Sequence, residues 1–226
     1  MEFEICTSIY STTLKELAIR LKQAFNSGSN IVEIRIDYLN SFEIDKLKNI
    51  ISSYLDKCVL TCRPINEGGK YAKSEKDRID LLYSLYELQP KFLDIELSLI
   101  TKNSKFFDSL STNNTTLIIS SHNFEETPSI TELEKIVNLS IHNNCYVKII
   151  TKANCFKDNY NVLALYDKFK QTKLIAFCMG QKGIISRVIC TLIGSPLAYA
   201  SLPNLPTAEG QISISEMKNF YELLKQ

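Results

Sequence analysis

Cys145-Tyr146-Val147-Lys148-Ile149-Ile150 reads as a buried strand, a short run of aromatic and β-branched residues behind a helix-period stretch from Ile130 to His142. The same order recurs along the chain. Strand-like runs also occupy Phe3–Thr7, Ile31–Ile36, Cys58–Cys62, Phe92–Glu96, Thr116–Ser121, Leu174–Phe177 and Leu197–Ala200. Between them lie amphipathic segments. Leu14, Leu17, Ala18, Leu21, Ala24 and Phe25 recur three and four apart, and another such stretch runs from about Ser74 to Leu88. The first helix is expected to stop at Asn26-Ser27-Gly28, with glycine where a left-handed cap needs it. The last, Ser213 to Leu224, opens with the capping-box pattern Ser213-Ile214-Ser215-Glu216.

Strand starts fall about 28 residues apart, the size of one βα module, and such alternation argues for parallel strands joined by right-handed crossovers. Eight modules close naturally into an α/β fold of the (β/α)8 TIM-barrel type, expected as a single domain over residues 1–226. A doubly wound open sheet competes. It would want a glycine-rich turn after the first strand, and Cys6-Thr7-Ser8-Ile9 has none.

Composition narrows the class. A net charge of +1 gives no electrostatic footprint for nucleic acid or a membrane surface. No apolar run approaches the roughly 18–20 residues that span a bilayer. Met1-Glu2-Phe3-Glu4-Ile5 lacks the basic start of a signal peptide. The seven cysteines are odd in number, form no CxxC pair and lie mostly in apolar runs. They read as buried, reduced thiols of a cytoplasmic protein, without a zinc site.

Lys148 is costly where it stands, because burial disfavours the charged amine. An amine left partly neutral is the nucleophile that forms a Schiff base with a carbonyl compound. The bland alternative is a strand-end lysine that snorkels into solvent. Its company along the chain favours chemistry. In a barrel, the strand ends and the loops after them form the functional face. Those ends deliver Glu33, Arg35 and Asp37, then Arg63 and Glu67, Asp94 and Glu96, His122, Lys148, and finally Met179-Gly180-Gln181-Lys182-Gly183 with Ser186-Arg187. Bland readings stand beside several of these. Arg35 and Asp37 suit a structural ion pair, and His122 suits a loop histidine bonded to backbone. His142 is expected on the surface. Lys152, the rival amine, is expected in a solvated loop. Gly180 and Gly183 weakly suggest a phosphate cradle, but Arg187 suits a carboxylate equally well.

Several segments resemble type I 3-dehydroquinate dehydratases. They are Glu33-Ile34-Arg35-Ile36-Asp37, Thr61-Cys62-Arg63 with Glu67-Gly68-Gly69, Ser121-His122-Asn123-Phe124 with Thr127-Pro128, and Val147-Lys148-Ile149. Met179-Gly180 with Gly183, Ser186-Arg187, Gly194-Ser195 and Gly210-Gln211 continue the match in order across nearly the whole chain. The resemblance implies a (β/α)8 enzyme, usually a homodimer, with no metal or organic cofactor. It implies dehydration of 3-dehydroquinate to 3-dehydroshikimate, the third step of the shikimate pathway toward chorismate and aromatic amino acids. By the same resemblance Lys148 is the Schiff-base lysine, His122 the general acid/base, and Glu67 the carboxylate that orients His122 and fixes its tautomer. Arg187 matches the arginine that grips the substrate carboxylate. Glu33, Arg35, Arg63 and Gln211 match positions that hold the ring hydroxyls and carboxylate end, Thr207 matches a substrate-contacting hydroxyl, and Phe124 and Met179 would form apolar walls.

Three positions depart from the family's habit. Ala208-Glu209-Gly210-Gln211 lacks the usual proline and places a carboxylate near an anionic ligand. Thr207 replaces serine, and Ala198 replaces threonine. The chemistry the resemblance implies is consistent with these residue types. A protonated imine is a better electron sink than a ketone, and an imidazole with an ordinary pKa near 6.5 suits proton transfer in both directions. Arg35 and Arg63 would disfavour a second positive charge on Lys148, while Glu33, Glu67 and Glu96 oppose them. Two other readings remain: a Schiff-base aldolase, which would want a phosphate site after strands seven and eight, and a silent barrel, which would be expected to lack Lys148 or His122.

Overall fold

Eight strands alternate with helices in a computed structural model that describes residues 3–110, 114–142 and 144–224. The strands are β1 Glu4–Tyr10, β2 Ile31–Arg35, β3 Cys58–Thr61, β4 Phe92–Glu96, β5 Thr116–Asn123, β6 Tyr146–Lys152, β7 Leu174–Met179 and β8 Leu197–Ser201. Every residue of β2, β3, β4, β7 and β8 is buried, because helices cover one face of the sheet and the barrel interior the other. That two-sided burial is why these strands read as nearly continuous apolar runs. All ladders are parallel, in the order β7-β6-β5-β4-β3-β2-β1-β8. No ladder joins β7 to β8, so the barrel is nearly closed. The rings of Phe177 and Tyr199 meet across that seam, 6.2 Å between centroids.

The helices are α1 Leu14–Asn26, α2 Ile44–Ile51, α3 Glu75–Tyr86, α4 Leu97–Lys102, α5 Ser104–Ser109, α6 Ile130–Ser140, α7 Asp158–Leu163, α8 Leu165–Lys168, α9 Ile184–Ile189 and α10 Ile214–Leu223. Their ends follow local chemistry. Gly28 follows α1 at φ +88°, in the left-handed region expected of it. The capping box at Ser213 and Glu216 is formed, and a second one, Ser129 with Glu132, starts α6. Leu17, Leu21, Leu47, Leu82 and Leu85 pack against Ile34, Leu60 and Leu93 in one layer between helices and sheet. Leu133, Val137 and Val162 pack with Val147, Ile149 and Ala176 in another.

Strand residues of the alternate parity form the barrel interior, which changes character along its axis. Cys6, Ile31, Val59, Phe92 and Ile118 form an apolar floor. Two residues further along each strand, where the side chain returns to the same face, stand Ser8, Glu33, Thr61, Asp94 and Ser120. The interior thus turns polar toward the C-terminal ends of the strands.

Five of the observed strands end later than the sequence reading placed them, while β2 and β3 each end one residue earlier. β1 continues to Tyr10, which pairs with Arg35. β5 continues through His122 and Asn123, paired with Ile150 and Thr151, so His122 is held by a ladder rather than a loop. β6 reaches Lys152, a half-buried strand residue paired with Met179 and not a solvated loop residue. His142 is exposed, its ring 4.6 Å from that of Phe107. None of the seven cysteines has a disulfide partner among the described residues. Five are buried, while Cys145 is half-buried and Cys155 exposed. Among the described residues no helix is long and apolar enough to cross a membrane.

Candidate active site

The polar end of the barrel interior opens into a pocket lined by Lys148. The residue is 4% exposed, so its amine does not snorkel out. Nζ lies 3.0 Å from Asp94 Oδ2, 3.2 Å from Glu33 Oε1 and 4.3 Å from the centroid of the Tyr199 ring. Two carboxylates and an aromatic face thus surround the amine. Glu33 is fixed in turn by Ser8 Oγ, which donates to Oε2 at 2.5 Å, and by Thr61 Oγ1, which donates to Oε1 at 3.0 Å. Burial alone would raise the Glu33 carboxyl, but Lys148 and then Arg35 hold it below its usual range.

Asp94 ties the site together. Its Oδ1 accepts from Arg63 Nη2 at 2.6 Å and from Ser120 Oγ at 2.7 Å, while Oδ2 takes the lysine. Burial opposes its charge, yet Arg63 and then Lys148 keep it well below the usual carboxylate range. The other terminal nitrogen of Arg63, Nη1, lies 3.0 Å from His122 Nδ1 and 3.3 Å from Ser120 Oγ. Desolvation, then the positive charges of Arg63 and Lys148, push His122 well below its ordinary value. Behind Arg63 stands Glu96, whose Oε2 accepts from Arg78 Nη1 at 2.7 Å. Burial raises the Glu96 carboxyl despite Arg63 and Arg78.

Arg187, on α9, is the opposite of Arg63. It is 2% exposed, has no carboxylate within ion-pair distance among the described residues, and leaves Nε without a hydrogen-bond partner. Its guanidinium stands 4.4 Å from the centroid of the Phe177 ring, and burial brings its pKa down to about 10. A desolvated, unpaired fork facing a pocket is built to receive an anion from outside. Of the glycines before it, Gly183 serves packing, since a Cβ there would meet the Cys178 carbonyl oxygen at 2.6 Å, and Gly180 serves a left-handed backbone at φ +84°.

The mouth is closed by two loops. Gly180 N donates to Glu209 O at 3.0 Å, and Gly210, at φ +69°, comes so close that an added Cβ would lie 2.3 Å from Gly180 O. Gln211 Oε1 accepts from Thr207 N at 2.7 Å and Thr207 Oγ1 at 2.9 Å, while its Nε2 donates to Ala200 O at 2.9 Å. Glu209 uses its carbonyl for this clasp and its side chain is exposed, outside the pocket lining. Ala198 faces the helices with Val188 and Met217, away from the pocket.

Ten of the eleven residues singled out from the sequence line this one pocket. Lys148, His122, Glu33, Arg35 and Arg63 form its charged interior, and Arg187, Thr207 and Gln211 stand opposite, with Phe124 and Met179 at the walls. Arg35 also makes the ion pair weighed against it, with Nε–Oδ1 at 2.9 Å and Nη2–Oδ2 at 2.7 Å to Asp37. Glu67 is the exception. It sits in the turn Ile65–Glu67, accepts from Ser98 and comes within 4.0 Å of Arg63, while Arg63 makes the contact to His122. Sequence reasoning did not single out Tyr199, Phe177, Ile150 or the hydroxyls of Ser8, Thr61 and Ser120. The alternation within each strand was the available signal for those hydroxyls. A larger groove of about 860 Å³ lies beside Asp37 and Tyr38 and contains none of the eleven.

The family model described as type I 3-dehydroquinase matches residues 5–226. A 3-dehydroquinate dehydratase of Desulfotalea psychrophila is 32% identical over 223 residues, covering 96% of each chain. A bifunctional chloroplastic 3-dehydroquinate dehydratase/shikimate dehydrogenase of Arabidopsis thaliana is 30% identical over 220 residues, and the match spans 36% of that longer protein. The crystal structure of the 3-dehydroquinate dehydratase from Aquifex aeolicus superposes with a TM-score of 0.77 at 29% identity, covering 99% of this chain and 100% of that one. With the family model matching all but the first four residues, the chain belongs to the type I 3-dehydroquinase family.

Proposed function

We propose that the protein dehydrates 3-dehydroquinate to 3-dehydroshikimate through an imine formed on Lys148. The observation that carries this reading is the pairing, in one pocket, of a buried amine on β6 with the buried, unpartnered Arg187 guanidinium. The substrate is a β-hydroxy ketone that bears a carboxylate. Arg187 receives the carboxylate as a bidentate fork and so places the ketone over Nζ. Once the ammonium gives up a proton, Nζ attacks the carbonyl carbon, and loss of water from the adduct leaves a protonated imine. Glu33 and Asp94 lie beside that nitrogen as counter-ions.

The α-proton then passes to His122, and the C–H electron pair flows into the imine as an enamine. Return of the electrons expels the β-hydroxyl, which takes a proton and leaves as water. Hydrolysis of the product imine frees Lys148. His122 suits both transfers because its neutral form is favoured in the site. Glu33, Arg35 and Gln211 would hold ring hydroxyls, with Thr207 carried on the loop after β8, and Phe124 and Met179 form apolar walls. Glu67 acts on His122 only through Arg63 in this reading.

The assembly expected with this activity is a cytoplasmic homodimer without metal or organic cofactor. Sedimentation that finds monomer alone would remove the dimer. Borohydride reduction with 3-dehydroquinate, followed by peptide mass spectrometry, tests the chemistry. A reduced adduct on the Lys148 peptide is expected. No adduct on folded protein sinks the reading, and an adduct on Lys152 moves the nucleophile.

A further inference from the structure

The contact between Arg63 and His122 has only one possible polarity. A guanidinium carries five N–H donors and no acceptor. At 3.0 Å from Nη1, therefore, His122 Nδ1 must present its lone pair. The neutral ring then carries its proton on Nε2. With Nε2 already protonated, the only nitrogen able to take a further proton is the one Arg63 covers.

Without a ligand, other contacts hold Arg63 in that position. Nη2 is held by Asp94 Oδ1 at 2.6 Å, and Ser120 bonds both partners, donating to Asp94 and accepting from Nη1. Glu96 lies 3.6 Å from Nη1 and Glu67 4.0 Å, so carboxylates surround the guanidinium from β4 and from the turn after β3. Around the imidazole itself, Arg63 on β3, Lys148 on β6 and Arg35 on β2 are positive, and Asp94 on β4 is negative. The guanidinium's other terminal nitrogen and its neighbours are thus already engaged, in contrast with Arg187.

We propose that Arg63 is a positioning residue that caps the basic nitrogen of His122: anchored by Asp94, its Nη1–H locks the imidazole as the neutral Nε2–H tautomer and masks Nδ1. His122 accepts a proton only in conformations in which Nη1 has left Nδ1, and the groups suited to draw it away are hydroxyl or carboxylate oxygens of a bound acid. This assigns Arg63 a task apart from gripping substrate. The base role that the cap regulates rests on the dehydratase reading, whereas the cap itself does not.

The chain has two histidines, which makes the test direct. Long-range proton–nitrogen spectra of the 15N-histidine-labelled protein, without added ligand, report which ring nitrogen carries the proton, and His122→Gln assigns the signals. At neutral pH His122 is expected as a single tautomer, with Nε2 protonated and Nδ1 bare. Arg63→Lys keeps the positive charge for Asp94 but removes the second arm of the fork, and it is expected to give a mixture of tautomers. A wild-type ring protonated on Nδ1, or a mixture there, overturns the cap. So does an Arg63→Lys protein that keeps the pure Nε2–H form. Should Arg63→Lys fail to fold, the wild-type spectrum alone decides. A locked tautomer in a protein that leaves 3-dehydroquinate unchanged would sink the reaction and leave the cap standing, and turnover with mixed tautomers would do the reverse.

Discussion

Lys148 is buried against two carboxylates that each keep other partners. Removing the side chain deprives Glu33 and Asp94 of a cation, but Glu33 keeps Ser8 and Thr61, and Asp94 keeps Arg63 and Ser120. Lys148→Ala is therefore expected to fold, shown by an unchanged far-ultraviolet dichroism spectrum, and to give neither turnover nor adduct. Retained activity would end the assignment. Arg187 differs because no internal partner is stranded when it goes. Hydrogen bonds to charged groups contribute about 1.5–3 kcal/mol, so Arg187→Ala should raise KM by roughly 10–100-fold with little change in Tm. A large loss of Tm would mean that the arginine serves the fold. His122 supplies a pH dependence. Its folded pKa lies below the unfolded value near 6.5, so the unfolded chain binds the extra proton first as pH falls. Stability that His122 contributes above pH 6.5 is lost on going down toward its folded pKa. Tm should fall between pH 7 and pH 5 and do so less steeply in His122→Gln. At this scale the amine and the imidazole were legible in the sequence, Lys148 as a charge inside an apolar run and His122 as one of two histidines, placed at a strand end. The bond from Asp94 to Lys148 was not, because it joins residues 54 apart across a barrel interior whose register no single strand reveals.

Elements are joined in this barrel by a few buried charges and by close backbone contact. Arg78, 3% exposed on α3, donates to Glu96 on β4 and to the Cys62 carbonyl at the end of β3. Arg78→Ala leaves a buried carboxylate with only Arg63 at 3.6 Å, and breaking such pairs costs about 3–5 kcal/mol. At about 2–4 °C per kcal/mol for a chain of this size, Tm should drop by roughly 6–20 °C. Glu96→Gln in the same protein should recover part of it. No recovery would show that the loss is packing alone. The loops after β7 and β8 depend on two glycines. Gly210→Ala pushes a methyl into the Gly180 carbonyl and loosens Thr207 and Gln211, which should raise KM more than it lowers kcat in steady-state kinetics. The start of α10 at Ser213 and the end of α1 at Gly28 were legible because capping chemistry is local. The ends of β5 and β6 were not, because His122, Asn123, Thr151 and Lys152 are polar residues held in strands by ladders to their neighbours.

The whole barrel was legible because its strands are covered on both sides and its modules keep an even spacing, two features that composition and period display directly. The incomplete closure between β7 and β8 was not, since pairing across a seam depends on the shear of all eight strands. That seam runs lengthwise through the pocket. Phe177 on one side and Tyr199 on the other are both lining residues, and the glycine clasp bridges the same two strands above them. The seam-side amides of β7 have single side-chain acceptors in place of a strand, Ala176 N donating to Tyr166 Oη at 2.7 Å and Cys178 N to Ser186 Oγ at 2.9 Å, so they should exchange hydrogen through small local openings, faster than those in the β5–β6 ladder. A bound acid that touches both sides takes the place of the missing ladder. Its occupancy should then be readable by exchange mass spectrometry as slowed deuterium uptake along the whole of β7 and β8, far below the atoms it contacts.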